Sequence, residues 1–264
     1  QICFHFPIMP RLYMALKQEN RTAIIDILNR TPEIPEGTQW MTFLRNHDEL
    51  TLEMVTVADR EWMWQQYAPD PEMKSNLGIR RRLAPLVDNH KGKWLILNAI
   101  LLSLMGTPII YYGDEIGMGD NIALPDRHGV RTPMQWDDSK NGGFSSADQT
   151  YFPVIGSAEY SYKKVNVAAQ EDDPNSYLNA TRFLLSVRRE HPELQTGELQ
   201  FWDNDDQSVL GYWRILGEER TLCLYNLSSD VRSVMLHFPE LQGQGQLVDL
   251  LHEGQTHSLT NSHP

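Results

Sequence analysis

The stretch WMTFLRNHDEL, residues 40–50, decides how the rest of the chain is read. Trp40 to Leu44 have strand-favouring, largely apolar character, and the run breaks abruptly into Arg45, Asn46, His47, Asp48 and Glu49. Five polar groups at the mouth of a buried strand need partners, because each unsatisfied buried group costs roughly 1–3 kcal/mol. Two explanations fit. Asp48 or Asn46 opens the next helix as an N-cap, or the polar group sits at the C-terminal end of a parallel strand, where β/α barrels carry their active residues. The stretch alone leaves both open.

Working outward, ICFHF (2–6) is a short apolar strand candidate closed by Pro7 and Pro10. RLYMALKQEN and TAIIDILNRT follow as helices, the second stopped by Thr31-Pro32. Residues 49–75 are acidic and helical in tone, with Trp62, Trp64 and Tyr67. WLILNAILLSL is a strongly apolar helix. Gly106-Thr107-Pro108 then turns into IIYY (109–112), a continuous apolar strand suited to a parallel sheet covered on both faces. The order strand, helices, strand, helices, strand is that of repeated β/α crossovers.

A long polar stretch runs from 113 to about 174, and a loop of that length in a compact domain is usually functional or disordered. SYLNATRFLLSVRREHPEL (176–194) spaces its apolar residues as an amphipathic helix does. From Gly197 the texture changes. LQFWD, VLGYWRI, TLCLYNL, VRSVMLHF and QLVDLL are short strand candidates between turn residues, which predicts a small antiparallel β domain. The boundary falls near Pro192–Thr196, dividing the chain into 1–194 and 195–264.

Composition narrows the function. A net charge of −12 disfavours nucleic acid and anionic membrane surfaces as partners. The longest apolar run, 95–112, is broken by Asn98, Gly106 and Pro108, so no spanning segment is expected. Seven Trp and ten Tyr supply flat faces that suit sugar stacking and equally suit a core. Cys3 and Cys223 lie far apart without a CxxC pattern, which fits a reducing, cytoplasmic setting. His90, His128, His191, His237, His252, His257 and His263 show no ligand spacing and are expected in turns or solvent, so no metal site is assigned. The first residue is Gln1, inside an apolar run and without a basic leader, so a longer parent protein is expected.

Three further groups are candidates for a site. In GDEIGMGD, Asp114 and Glu115 follow an apolar strand directly, and a structural ion pair with Arg80, Arg81 or Arg82 is the favoured reading. In GVRTPMQWD, Arg131 heads a rigid Thr-Pro turn, placed to fork onto an acid or hydroxyls or else to lie in a surface loop. Glu49 and Glu53, four apart on an expected helix start, either reach over the site mouth or favour the helix dipole.

Together, FLRNHDELT, GTPIIYYGDEIGMGDN and GVRTPMQW resemble the alpha-amylase family of glycoside hydrolases and transglycosylases (family 13). RTPMQW is similar to its oligo-1,6-glucosidase-like branch. FHFPIMPRLYMAL, NHDELTLEMVT, NLGIRRRLAPL and VNVAAQ narrow the likeness to members that interconvert maltose and trehalose. The resemblance covers about residues 2–195, and the later β domain more loosely. It implies an α/β fold: about three βα units forming the C-terminal part of a TIM (β/α)8 barrel, then a small antiparallel β-sandwich lacking its last strand. ICFHF, WMTFL and TPIIYY would be barrel strands six, seven and eight.

The resemblance also implies roles. Asp48 would be the third acid of the catalytic trio, stabilising the transition state, and His47 would donate to sugar hydroxyls. Arg131 would lie in the substrate pocket, with Glu115 and Asp114 after the eighth strand at its rim and no catalytic role carried over to them; Glu49, from its place in the chain, is a further rim or lid candidate. The nucleophile and acid/base would lie before Gln1, so the chain alone is expected to be inactive. The implied chemistry is a retaining double displacement on a disaccharide, maltose or trehalose. The alternatives are alpha-glucosidase or sucrose-isomerase action, or a non-catalytic binding subunit, which would be expected to lose Asp48. No organic cofactor is implied. A structural calcium ion would have its ligands upstream. A homo-oligomer and a fused or partner maltokinase remain open partners.

Overall fold

The structure, a computed structural model, describes residues 2–35, 37–156, 159–236, 246–252 and 255–258. Strand β1 (Ile2–Phe4) leads into helix α1 (Ile8–Gln18) and helix α2 (Thr22–Asn29). Pro10 was expected to close the first strand, but it lies in the first turn of α1. A proline is tolerated there because the first-turn N–H groups have no intrahelical acceptor. Strand β2 (Gln39–Phe43) returns parallel to β1, with Ile2 opposite Gln39 and Phe4 opposite Met41.

The next segment departs from expectation. Residues 49–56 are not the start of a helix: β3 (Leu50–Thr51) comes first, and α3 (Val57–Tyr67) begins only under the Thr56 cap, whose side chain accepts from the Asp59 N–H. Leu50 and Leu52 are both fully buried, a period of two that belongs to extended backbone. Glu49 and Glu53 therefore share no helix face. Strands β4 (Lys74–Ser75) and β5 (Gly78–Ile79) complete a small antiparallel sheet in the order β3-β5-β4. Helix α4 (Leu83–Leu86) and helix α5 (Lys91–Ser103) lead to β6 (Thr107–Ile109), parallel to β2. The result is a parallel sheet ordered β1-β2-β6, with helical crossovers between successive strands.

IIYY is not one strand. The ladder ends at Ile109, and the tyrosine hydroxyls reach the following loop, Tyr111 donating to the Val130 carbonyl (2.9 Å) and Tyr112 to the Thr132 carbonyl (2.7 Å). The loop from 113 is ordered by 3-10 turns and helix α6 (Val167–Glu171) before α7 (Tyr177–Glu190). The expected boundary at 192–196 is itself a helix, α8 (Pro192–Thr196), with Glu193 and Leu194 buried.

Beyond α8, strands β7 (Glu198–Phe201), β8 (Val209–Leu216) and β9 (Glu219–Asn226) form an antiparallel sheet, and β10 (Gln246–Val248) pairs with β11 (Thr256–Ser258). Residues 231–236 of VRSVMLHF form no strand, and its last two residues lie outside the described ones, as do His237, His263 and the expected C-terminal end. One antiparallel sheet and a separate strand pair are seen among the described residues; a closed sandwich is not.

A continuous core ties these parts together. Leu194, Leu210, Tyr212 and Cys223 join the same cluster as Phe43, Leu50 and Trp94. Two arginines add a polar joint. Arg188 donates to the carbonyls of Leu102, Leu194 and Gly106, and Arg214 to those of Ser103, Leu194 and Gly197. Most of these carbonyls lie at the ends of α5 and α8, where helices leave carbonyls unpaired, and that of Gly106 lies in the turn before β6. Cys3 is exposed and Cys223 buried, both as free thiols. Among the described residues no helix is long and apolar enough to cross a membrane.

A buried charged layer underlies the strand ends. Arg45, Arg82 and Asp114 are all nearly inaccessible, with Arg82 Nη1 3.8 Å from Asp114 Oδ1. Burial pushes the Asp114 carboxyl up from 3.8 to about 7, against the opposing pull of Arg82 and Arg45. Because the folded-state value is raised, the native chain holds a proton that the unfolded chain releases. The contribution is fully present below about pH 4 and is lost as pH rises through about 7. Urea unfolding of the native chain and Asp114→Asn, repeated from pH 4 to 8, should show the native chain's stability relative to the variant falling across that window. A constant difference would remove Asp114 as the cause.

Candidate active site

The polar group at the end of β2 folds on itself before it meets anything else. The Asn46 Oδ1 accepts the Asp48 N–H (2.9 Å), a tight turn in which an Asn side chain mimics backbone. Arg45 lies beneath, 1% exposed, and holds this turn from below. Its Nε donates to the Arg81 carbonyl (2.6 Å) and its Nη2 to the Asp48 carbonyl (2.7 Å). The backbone of Asp48 is thereby tied to the connection between β5 and α4. Asp48 caps no helix, since the element that follows is β3.

The Asp48 side chain is 38% exposed and is met by three basic groups. Arg131 Nη2 donates to Oδ1 at 2.8 Å, Arg127 Nη1 donates to the same oxygen at 3.2 Å, and His47 Nε2 lies 3.4 Å from Oδ2. Arg131 also donates through Nε to the His47 carbonyl (2.8 Å), so one guanidinium grips both residues of the pair. Arg131 is set by its surroundings: it ends the 3-10 turn His128–Val130, and Thr132 and Gln135 behind it are fully buried. Gln135 Nε2 donates to the carbonyls of Val165 and Tyr160, which pins the loop.

Glu49 forms a wall beside Asp48. Its Oε1 accepts from Asn76 Nδ2 (2.9 Å), and its Oε2 lies 3.7 Å from Arg127 Nη1. Gly78 makes this packing possible, because a Cβ there would stand 2.6 Å from the Glu49 Cγ and 2.5 Å from the Leu50 carbonyl. Glu53 is exposed and takes no part. Arg127 carries no motif of its own in the sequence. Its only local signal is the DRHGVR run, where it stands four residues before Arg131 and pairs with Asp126 (3.1 Å).

Asp114 and Glu115, adjacent in sequence, take different surroundings. Asp114 is the buried partner of Arg82, whose guanidinium also stacks against Tyr111 and Tyr112 at 4.8 and 4.7 Å. Glu115 borders a cavity of about 470 Å³ that opens beyond Arg131, ringed by Tyr112, Trp136, Phe144 and Tyr151. Burial raises the Glu115 carboxyl, and its Oε2 is buried without a hydrogen-bond partner among the described residues. Of the histidines, His90 caps α5, His128 stacks on Phe152, and His191 bonds Glu193. No group of three or more His, Cys, Asp or Glu is placed to hold a metal among the described residues.

The assembly is one carboxylate at a parallel-strand end, surrounded by donors and open to solvent on one side. Such a group can stabilise developing positive charge and accept hydroxyl hydrogen bonds.

Comparison with known proteins bears on this geometry. The family model for the alpha amylase catalytic domain matches residues 79–197, from β5 to just past α8. A trehalose synthase of Pimelobacter sp. is 49% identical over 249 residues, which are 92% of this chain and 44% of that protein. Trehalose synthase/amylase TreS of Mycobacterium tuberculosis is 52% identical over 232 residues, 86% of this chain and 39% of its own length. The chain thus spans less than half the length of either relative. The crystal structure of an alpha-amylase from H. orenii shares the fold at a TM-score of 0.59 and 24% identity, over 86% of this chain and 39% of that one. A parallel-strand site built around Asp48, together with about half of all positions shared with these two relatives along most of the chain, places the sequence in the alpha-amylase family, glycoside hydrolase family 13.

Proposed function

We propose that this chain supplies the Asp48 side of an active site that interconverts maltose and trehalose by intramolecular transglucosylation. The observation that carries the reading is the convergence of His47, Arg127 and Arg131 on one carboxylate at the end of β2. The likeness to trehalose synthases supports the choice of substrate.

The chemistry is a double displacement. A nucleophilic carboxylate attacks the anomeric carbon of the donor glucose, the glycosidic C–O bond breaks, and a second carboxyl protonates the departing oxygen. The released glucose turns, and its anomeric hydroxyl re-attacks the glucosyl ester while returning its proton to the same base. Asp48 stabilises the positive charge that develops on the ring in both steps. Asp48 is neither of the paired groups, which stand roughly 5–5.5 Å apart in retaining enzymes. We assign both to residues outside this chain.

Isomerisation needs water kept away from the ester. The segments 49–75 and 113–174 are the proposed lid. Arg127 is where they meet, since it reaches Asp48 and Glu49 from the second segment.

Product analysis with maltose tests the reading. In the whole protein, Asp48→Asn should lower trehalose formation by about 10²–10³-fold; undiminished turnover would refute the assignment of Asp48. Arg127→Ala should shift product from trehalose toward free glucose severalfold, and an unchanged ratio would reject the lid. The chain by itself should convert no maltose, and any measurable turnover by it would show that the paired carboxyls are not elsewhere.

A further inference from the structure

The run Arg80-Arg81-Arg82 leaves β5 directly, and each side chain takes a different part of the chain that follows β6. Arg82 Nη1 donates to the Tyr112 carbonyl (2.6 Å), and Arg81 Nε reaches both oxygens of Asp120 (3.1 and 2.9 Å). Arg80 goes furthest along the loop. Its Nη1 donates to the carbonyls of Leu124 and Asp126 (2.5 and 2.7 Å), and its Nη2 to the Ile122 carbonyl (3.0 Å) and to Glu72 Oε2 (2.8 Å). Its Nε donates to the Glu72 carbonyl. A guanidinium has five N–H groups, and all five are used.

Three of those bonds hold a segment with no helix or strand of its own, since residues 117–127 lie between two 3-10 turns. Asp126 has a φ of 50°, a left-handed backbone conformation that most residues with a side chain avoid, and Arg80 holds its carbonyl. The next residue is Arg127, whose Nη1 meets Asp48 Oδ1 at 3.2 Å and stands 3.7 Å from Glu49 Oε2. At its other end Arg80 belongs to the small antiparallel sheet: its N–H donates to the Met73 carbonyl (2.8 Å), and Ile79 before it pairs with Leu50, the residue after Glu49. Glu49 and Arg127, which flank Asp48, are thus both set by one short sheet. The ion pair with Glu72 adds little, because the Glu72 side chain is 69% exposed. The carbonyl bonds are what hold the loop.

We propose that Arg80 is a positioning residue: it aims Arg127 at Asp48 and Glu49, and through Arg127 it sets how often the glucosyl ester passes to glucose rather than to water. With Arg127 released, a water oxygen bonds to the anomeric carbon, the ester C–O bond breaks, the water proton goes to the base, and free glucose leaves. The effect on the product rests on the lid proposed above; the aiming of Arg127 does not.

Arg80→Lys separates the two, because a lysine keeps the charge but cannot span three carbonyls with a planar fork. In the whole protein, amide hydrogen exchange of His128, Val130 and Arg131, whose N–H groups donate to Pro125, Arg127 and His128, should speed about tenfold or more. That is the scale of one lost charge-assisted bond. Amides of α5 should exchange at the native rate. With maltose, Arg80→Lys should raise the ratio of glucose to trehalose severalfold, in the direction of Arg127→Ala. The double variant should go no further than Arg127→Ala alone, since a residue acting through Arg127 then has nothing to act on. Effects that multiply in the double variant would overturn the proposal, as would loop amides that keep their native rate. Loss of α5 protection as well would show that Arg80 holds the fold rather than the loop, and would also overturn it. Faster loop exchange with an unchanged product ratio in every variant would reject the lid and leave the aiming of Arg127 standing.

Discussion

A single buried guanidinium, Arg45, is the constraint on which the site geometry depends. It leaves the end of β2 and turns inward rather than to solvent, donating to the carbonyls of Arg81 and Asp48. Burying a charged group is costly unless its donors are met. The two carbonyls meet Nε and Nη2 and offset part of that cost, while Nη1 is buried without a hydrogen-bond partner among the described residues; the two bonds leave little freedom for the turn above. Asp48 is therefore presented by a backbone held from beneath, while its side chain stays accessible.

From that anchor the site is assembled by segments distant in the chain. Residues 45–49 give the carboxylate and its histidine, the β4–β5 hairpin gives the Gly78 surface against which Glu49 lies, and the loop after β6 gives both arginines. The loop reaches back because Tyr111 and Tyr112 leave the sheet and use their hydroxyls to hold the Val130 and Thr132 carbonyls. The two residues that end the apolar run are thus tethers that deliver Arg131 to Asp48. The same tethers shape the aromatic cavity on the far side of Arg131.

The misread segments share a cause. Residues 49–56 have acidic, helix-tolerant composition, yet Leu50 and Leu52 are buried in an extended segment whose Leu50 and Thr51 pair with Ile79 and Gly78. A pairing across nearly thirty residues leaves no mark in local composition. Pro10 reads as a stop because a proline breaks helices from the inside, and its permissive place in a first turn depends on where the helix starts. The segment 192–196 has the proline and polar content of a linker, but Leu194 is buried against the sheet and the Arg188 and Arg214 side chains close on its carbonyl.

What the sequence determined by itself was local. The alternation of apolar strands with amphipathic helices, and the switch from apolar to polar at Leu44–Arg45, are written in neighbouring residues and placed Asp48 and His47 at a strand end. The motif likeness set the family. Only the tertiary structure decided the company Asp48 keeps. Arg127 and Arg131 are 79 and 83 residues away, and their approach is fixed by loop packing over buried Thr132 and Gln135. A side chain's partner across such a distance depends on the path of the whole intervening chain, and no local pattern of residues encodes that path.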